Sequence, residues 1–170
     1  MQSFIEQAKN YSLYHQKTIT RYTHFVGVPL LVFSFMLLFS FLHLTVPGYF
    51  SRTSAELLTL ALFLYYLVLN WRLALSLAPV LILLLWLADW IGSDGPTSGA
   101  LTVFLVCFIV GWIVQLLGHL FEGRRPAFTK NLCQFLIAPL YLTAEVYFMF
   151  GKMQALQTAI HQDNDENSKQ

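Results

Sequence analysis

Residues 55–91 read AELLTLALFLYYLVLNWRLALSLAPVLILLLWLADWI, an almost wholly apolar run. It is far longer than the roughly 20 residues that cross a bilayer as one helix. Asn70-Trp71-Arg72 interrupts it near the middle. The run therefore predicts a helical hairpin, with one span near 55–70, a tight turn at Asn70 to Arg72 and another span near 73–91. Pro79 falls inside the second arm, and Asp89 between Trp86 and Trp90 marks its far interface. Whether this run crosses once or twice decides which side of a membrane every later residue faces.

Composition agrees with a membrane reading. Of 170 residues, 56% are hydrophobic and 11% charged, and the mean hydropathy is +0.58. Soluble domains carry about 25% charged residues. A formal net charge of +1 gives no electrostatic case for nucleic acid as a partner. Cys107 and Cys133 lie in or beside apolar runs, form no C-x-x-C pair and are too few for a zinc site of the usual kind. They read as small apolar residues. The first twenty-four residues are polar and aromatic, and the apolar run after them is too long for a cleavable signal, so the first span is expected to stay attached.

Residues 4–18 read as an amphipathic helix with Phe4, Ala8, Tyr11, His15 and, if it ran on, Tyr22 on one face. His24 would point the opposite way on an unbroken helix. For both histidines to share a site the helix must break, and Thr18-Ile19-Thr20 is the expected place, with Thr20 as N-cap. A first span follows at about 22–44, then a loop with Pro47-Gly48 and Ser51-Arg52. Beyond the hairpin, Ser93 to Pro96 is a turn. A fourth span runs from Ala100 to about Glu122, with Gly111 and Gly118 as close-packing surfaces. A fifth apolar run, Leu132 to Phe150, carries Glu145, a costly residue in a span unless paired. His43 and His161 read as bystanders. The expected fold is an all-α integral membrane helical bundle of about five apolar helices, including the hairpin at 55–91, plus the N-terminal amphipathic helix. It forms one domain over 1–152, with a polar tail over 153–170 expected to be disordered from Gln162.

Basic residues order the topology. Lys9, Lys17 and Arg21 precede the first span, Arg72 lies in the hairpin turn, and Arg124, Arg125 and Lys130 follow the fourth. The positive-inside rule places all three groups in the cytoplasm. Four crossings then separate His24 from His119, so His15, His24, His119 and Glu122 can meet at one cytoplasmic interface.

The chemistry is concentrated at the end of the fourth span, Gln115-Leu-Leu-Gly118-His119-Leu-Phe-Glu122-Gly123-Arg124-Arg125-Pro126. At about 100° per residue, Gln115, His119 and Glu122 share a stripe about 60° wide. Gly123 suits a C-cap. Three imidazoles and a carboxylate at one depth point to Zn²⁺ or non-haem Fe²⁺. The plainer alternative is a set of interfacial histidines bonded to headgroups or backbone.

The segment Gly118 to Phe128, followed by Asn131-Leu132, Gln134, Ala138-Pro139 and Glu145, resembles the C-terminal signature of the 2-hydroxy fatty acid dioxygenase family. Tyr11-Ser-Leu-Tyr14-His15, then His24 and Gly27-Val28-Pro29, resembles its N-terminal block. The resemblance covers about residues 10–150. It implies an Fe²⁺-dependent enzyme that uses O₂ to shorten a 2-hydroxy fatty acid by one carbon, an α-oxidation in lipid and sphingoid-base breakdown. His15, His24, His119 and Glu122 are then the expected metal ligands, with Glu122 and Gln115 also as catalytic candidates. Arg124, Arg125 and Tyr11 would bind substrate, and Glu145 would act behind the ligands. The host membrane would be a bacterial inner membrane or an endoplasmic reticulum. The rivals are a non-catalytic small membrane protein and a different lipid metalloenzyme. Adjacent-histidine boxes and a G-x-S-x-G elbow do not occur, which disfavours a di-iron desaturase and a serine hydrolase, while a zinc hydrolase stays open.

Overall fold

The computed structural model describes residues 4–46, 50–123 and 133–167. In chain order these form α1 (Phe4–Ser12), α2 (Thr18–Ser40), β1 (His43–Val46), β2 (Phe50–Thr53), α3 (Ser54–Gly92), α4 (Ser98–Glu122), α5 (Cys133–Met149) and α6 (Gln154–Asn167). The chain is an all-α membrane bundle with one small antiparallel β-ribbon, His43 opposite Thr53 and Val46 opposite Phe50. The ribbon replaces part of the loop expected from the sequence. β-Branched and aromatic residues at Thr45, Val46, Phe50 and Thr53 suit a short pleat. The chain divides into two compact units, Met1–Phe25 with Val114–Gln170, and Val26–Ile113.

Within Val26–Ile113, α3 settles the hairpin question. Asn70 leaves the helical region at φ −159°, ψ 98°, and its side chain accepts from Leu73 N at 3.3 Å, capping the second arm. A straight helix would carry Thr53 and Asp89 about 54 Å apart at 1.5 Å per residue. Instead Thr53 Oγ1 donates to Asp89 Oδ1 at 3.0 Å, so the arms fold back on each other. Thr53 also caps the first arm, accepting from Glu56 N at 3.2 Å. At the same end Ser40, closing α2, reaches the Ala88 carbonyl at 3.2 Å. α2 and α4 run antiparallel: Phe35 meets Phe108 edge to face at 5.9 Å, and a Cβ on Gly111 would come within 2.9 Å of Leu31. The close approach expected at this glycine is thus present.

Among the described residues three helices, α2, α3 and α4, are long and apolar enough to cross a membrane by length and composition. Only 22% of the apolar window of α3 and 17% of that of α4 is buried within the protein. Val68, Ile82, Trp86, Trp90 and Leu120 all stand exposed. Apolar exposure on this scale suits helices that face lipid.

In the other unit α1 packs on α5 and α6, burying Phe4, Ala8 and Tyr11. α5 and α6 meet at a 119° bend, with Gly151 and Met153 at positive φ. α6 runs as helix to Asn167, and the part of it before Gln162 packs on the rest of its unit. Ile160 is fully buried and His161 rests edge to face on Phe148. Apolar contact of this kind holds a tail whose composition alone predicts coil. The break between α1 and α2 also lies earlier than expected, at residues 13–17, and Thr20 sits inside the first turn of α2 instead of capping it.

Candidate metal centre

The early break follows from Glu122. Its Oε1 accepts from Gln16 N at 3.0 Å. Its Oε2 accepts from Lys17 N at 3.0 Å and from the Thr20 hydroxyl at 2.7 Å. The carboxylate at the end of α4 therefore supplies, from a distant part of the chain, the cap that the start of α2 needs. Lys17 Nζ adds a bond to the Phe121 carbonyl at 2.7 Å. Gly123, at φ 74°, closes α4 as the expected C-cap, its N–H reaching the His119 carbonyl at 3.1 Å. One turn back, a Cβ on Gly118 would collide with Thr23. Glycine here lets the two backbones approach closely enough for α4 to present His119 beside His24.

The resulting turn aims His15 at the other two histidines. One ligand nitrogen each from His15, His24 and His119 lies within 4.8 Å of the others. Ring centroids are 4.4 Å apart for His15 and His24, and 4.9 Å for each of the other pairs. All three are buried, at 3%, 1% and 5% exposure. His15 Nδ1 lies 2.7 Å from the Tyr11 carbonyl, and His24 Nδ1 lies 2.7 Å from the Thr20 carbonyl. A carbonyl only accepts, so both Nδ1 atoms carry the proton. Neutral His15 and His24 then turn bare Nε2 lone pairs toward each other at 3.0 Å. Burial, and the His24 ring facing it, push His15 well below the ordinary histidine pKa, which favours this neutral form.

The remaining expected residues divide. Tyr11 stacks flat on His15, with centroids 3.9 Å apart and 4° between planes. Burial first, then the Glu145 carboxylate, raises its phenol pKa, so Tyr11 stays protonated. Glu145 does not touch the histidines. It accepts from Tyr141 OH at 2.6 Å and pairs with Arg21 at 3.3 Å, while Tyr141 lies against Tyr11 at 4.7 Å. Glu122 is likewise absent from the gathered nitrogens, its two oxygens being engaged by the α1–α2 turn. Gln115 lines the same small cavity as Tyr11 and the three histidines, a space of about 20 Å³. Gln134 lines it too. Sequence reasoning gave Gln134 no role, although an amide in an apolar helix is the same signal that singled out Glu145. Arg124 and Arg125 lie outside the described residues.

The donor set can be tested for a metal on these observations alone. Two imidazoles donate Nδ1–H to backbone carbonyls and free their Nε2 atoms, the usual orientation of metal-ligating histidine. His119 Nδ1 is buried with no partner. Two lone pairs at 3.0 Å repel unless a cation lies between them. The residues fit a divalent ion that takes nitrogen ligands.

A profile of the family described as Mpo1-like, 2-hydroxy-palmitic acid dioxygenase Mpo1-like, matches residues 1–150. The 2-hydroxy-palmitic acid dioxygenase MPO1 of Saccharomyces cerevisiae is 34% identical over 155 residues, which cover 90% of this chain and 84% of that protein. No solved structure matches.

Proposed function

The chain belongs to the Mpo1-like 2-hydroxy-palmitic acid dioxygenase family, and from that premise we propose that it is an Fe²⁺-dependent dioxygenase. It shortens a 2-hydroxy fatty acid by one carbon, consuming O₂ and releasing the carboxyl carbon. Two bare nitrogens facing each other at 3.0 Å in a buried pocket carry the metal half of this reading. His15, His24 and His119 hold the ion. The gathered set contains imidazoles and no thiolate, which suits Fe²⁺. Bound Fe²⁺ supplies the redox chemistry with O₂.

The protein's own groups do the remainder. Tyr11 fixes the plane of His15 by stacking, and the Tyr11 carbonyl fixes its tautomer. Glu122 acts by holding the α1–α2 turn, as a positioning residue and not as a fourth ligand. Glu145 locks Tyr141 behind Tyr11 and ties Arg21 at the start of α2 to α5. Arg124 and Arg125 pair the substrate carboxylate, a match for the guanidinium fork. The acyl chain stays among the apolar helices while its head reaches the histidines. The basic residues before α2, at Arg72 and after α4 support a site at the cytoplasmic face.

Metal analysis and turnover test the proposal together. Purified protein is expected to carry iron and to convert 2-hydroxypalmitate under air but not under argon, with activity restored to stripped protein by Fe²⁺. Turnover that ignores O₂, or that Zn²⁺ restores equally well, rejects it.

A further inference from the structure

Two amides border the histidine cavity, and each has a buried atom without a partner. Gln115, on α4, leaves Nε2 unbonded, and Gln134, on α5, leaves Oε1 unbonded. Both side chains are more than nine-tenths buried, at 5% and 6% exposure. A buried amide atom left unpaired is destabilising. Donor and acceptor are complementary, line one cavity and yet do not bond to each other. The cavity, about 20 Å³, has room for about one water-sized group. The cavity is open on one side, so the polar head of a ligand can lodge at its mouth without fitting wholly inside.

We propose that this amide pair reads the head of a 2-hydroxy acid: Gln134 Oε1 accepts from the 2-hydroxyl, and Gln115 Nε2 donates to the carboxylate. The inference rests on the dioxygenase reading and adds to it the basis of substrate choice. A 2-hydroxy acid presents a donor and an acceptor on adjacent carbons, the pattern complementary to these two orphaned atoms. An unsubstituted fatty acid satisfies Gln115 but leaves Gln134 Oε1 buried and bare. Sites built to bond a substrate hydroxyl reject the analogue lacking it for this reason. Gln134 is thus a specificity-determining residue, and Gln115 a general anchor for the acid.

Binding separates the two roles without catalysis. The full chain, loaded with Fe²⁺ under argon, is titrated calorimetrically with 2-hydroxypalmitate and with palmitate, and iron content is measured for each variant. Wild type is expected to bind the hydroxy acid more tightly. Gln134→Met should reduce that preference about tenfold, the loss of one hydrogen bond of about 1.4 kcal/mol, with palmitate affinity and iron content unchanged. Gln134→Glu keeps an acceptor and should keep the preference, though carboxylate repulsion weakens both acids. Gln115→Met should weaken both acids alike. An unchanged preference in Gln134→Met, its loss in Gln134→Glu, or loss of iron in either overturns the inference. Wild type that binds iron and both acids equally overturns it while leaving the dioxygenase reading intact. Wild type that binds no iron overturns both.

Discussion

His15 and His24 meet Nε2 to Nε2 at 3.0 Å, each with its Nδ1 proton committed to a backbone carbonyl at 2.7 Å. Nine residues separate them: His15 lies in the break between α1 and α2, and His24 lies on α2. Replacing His15, His24 or His119 by alanine is expected to reduce bound iron from about one per chain to near zero while the helical content persists. Metal analysis and far-UV circular dichroism check this. Retention of iron by any of the three removes that residue from the ligand set.

Glu122 should behave differently. Glu122→Gln keeps one acceptor and leaves one of the Gln16 and Lys17 N–H groups unpaired. Hydrogen bonds to charged groups are worth about 1.5–3 kcal/mol, so thermal stability should fall by about that amount. Iron affinity should weaken about 10–100-fold, as when a group supporting a ligand is lost. Complete loss of iron, equal to that of His119→Ala, would make Glu122 a ligand after all. Metal titration decides between these outcomes.

Acid should destabilise the metal-free protein through His15. Its folded-state pKa is lowered by burial and by the His24 ring, whereas the unfolded chain titrates near 6.5. The unfolded state therefore takes up the proton first as pH falls. The stability is complete above about 6.5 and is lost progressively below it, toward the lowered folded value. Melting temperature between pH 7.5 and 5 should decline, and His15→Gln should flatten the decline.

The turn inside α3 rests on Asn70. Asn70→Ala removes the bond to Leu73 N and should cost about 1 kcal/mol, the usual loss for a cap. Chemical denaturation in detergent measures this. An unchanged midpoint would show that packing between the arms alone sets the turn.

Much of this architecture was legible because the signals were local. The Asn70-Trp71-Arg72 interruption gave the hairpin, which the backbone break at Asn70 and the Thr53–Asp89 bond between the arms bear out. The three histidines were legible as a group for the same reason. What Glu122 does in the turn was not legible, because helical periodicity reports the stripe a residue shares, not the partner it finds. Its partners are backbone N–H groups about a hundred residues away, which no spacing rule reveals. The α1–α2 break was placed late for the same reason, since its cap comes from another helix. The packing of α6 on α1 was not legible, because the two lie at opposite ends of the sequence. Gln134 stood in plain view as a lone amide among apolar residues, but only the cavity beside it gives it a task.

Glu122 fastens a turn lying 106 residues upstream. At ribosomal speeds of about 5–20 residues per second, the nascent chain waits about 5–20 seconds before that fastening exists. Until α4 is inserted, His15 and His24 have no third imidazole beside them and no anchor for the strap that joins them. A metal ion held by all three imidazoles would therefore be acquired only after synthesis is well advanced, and a ribosome stalled in α3 would leave a product without the complete donor set.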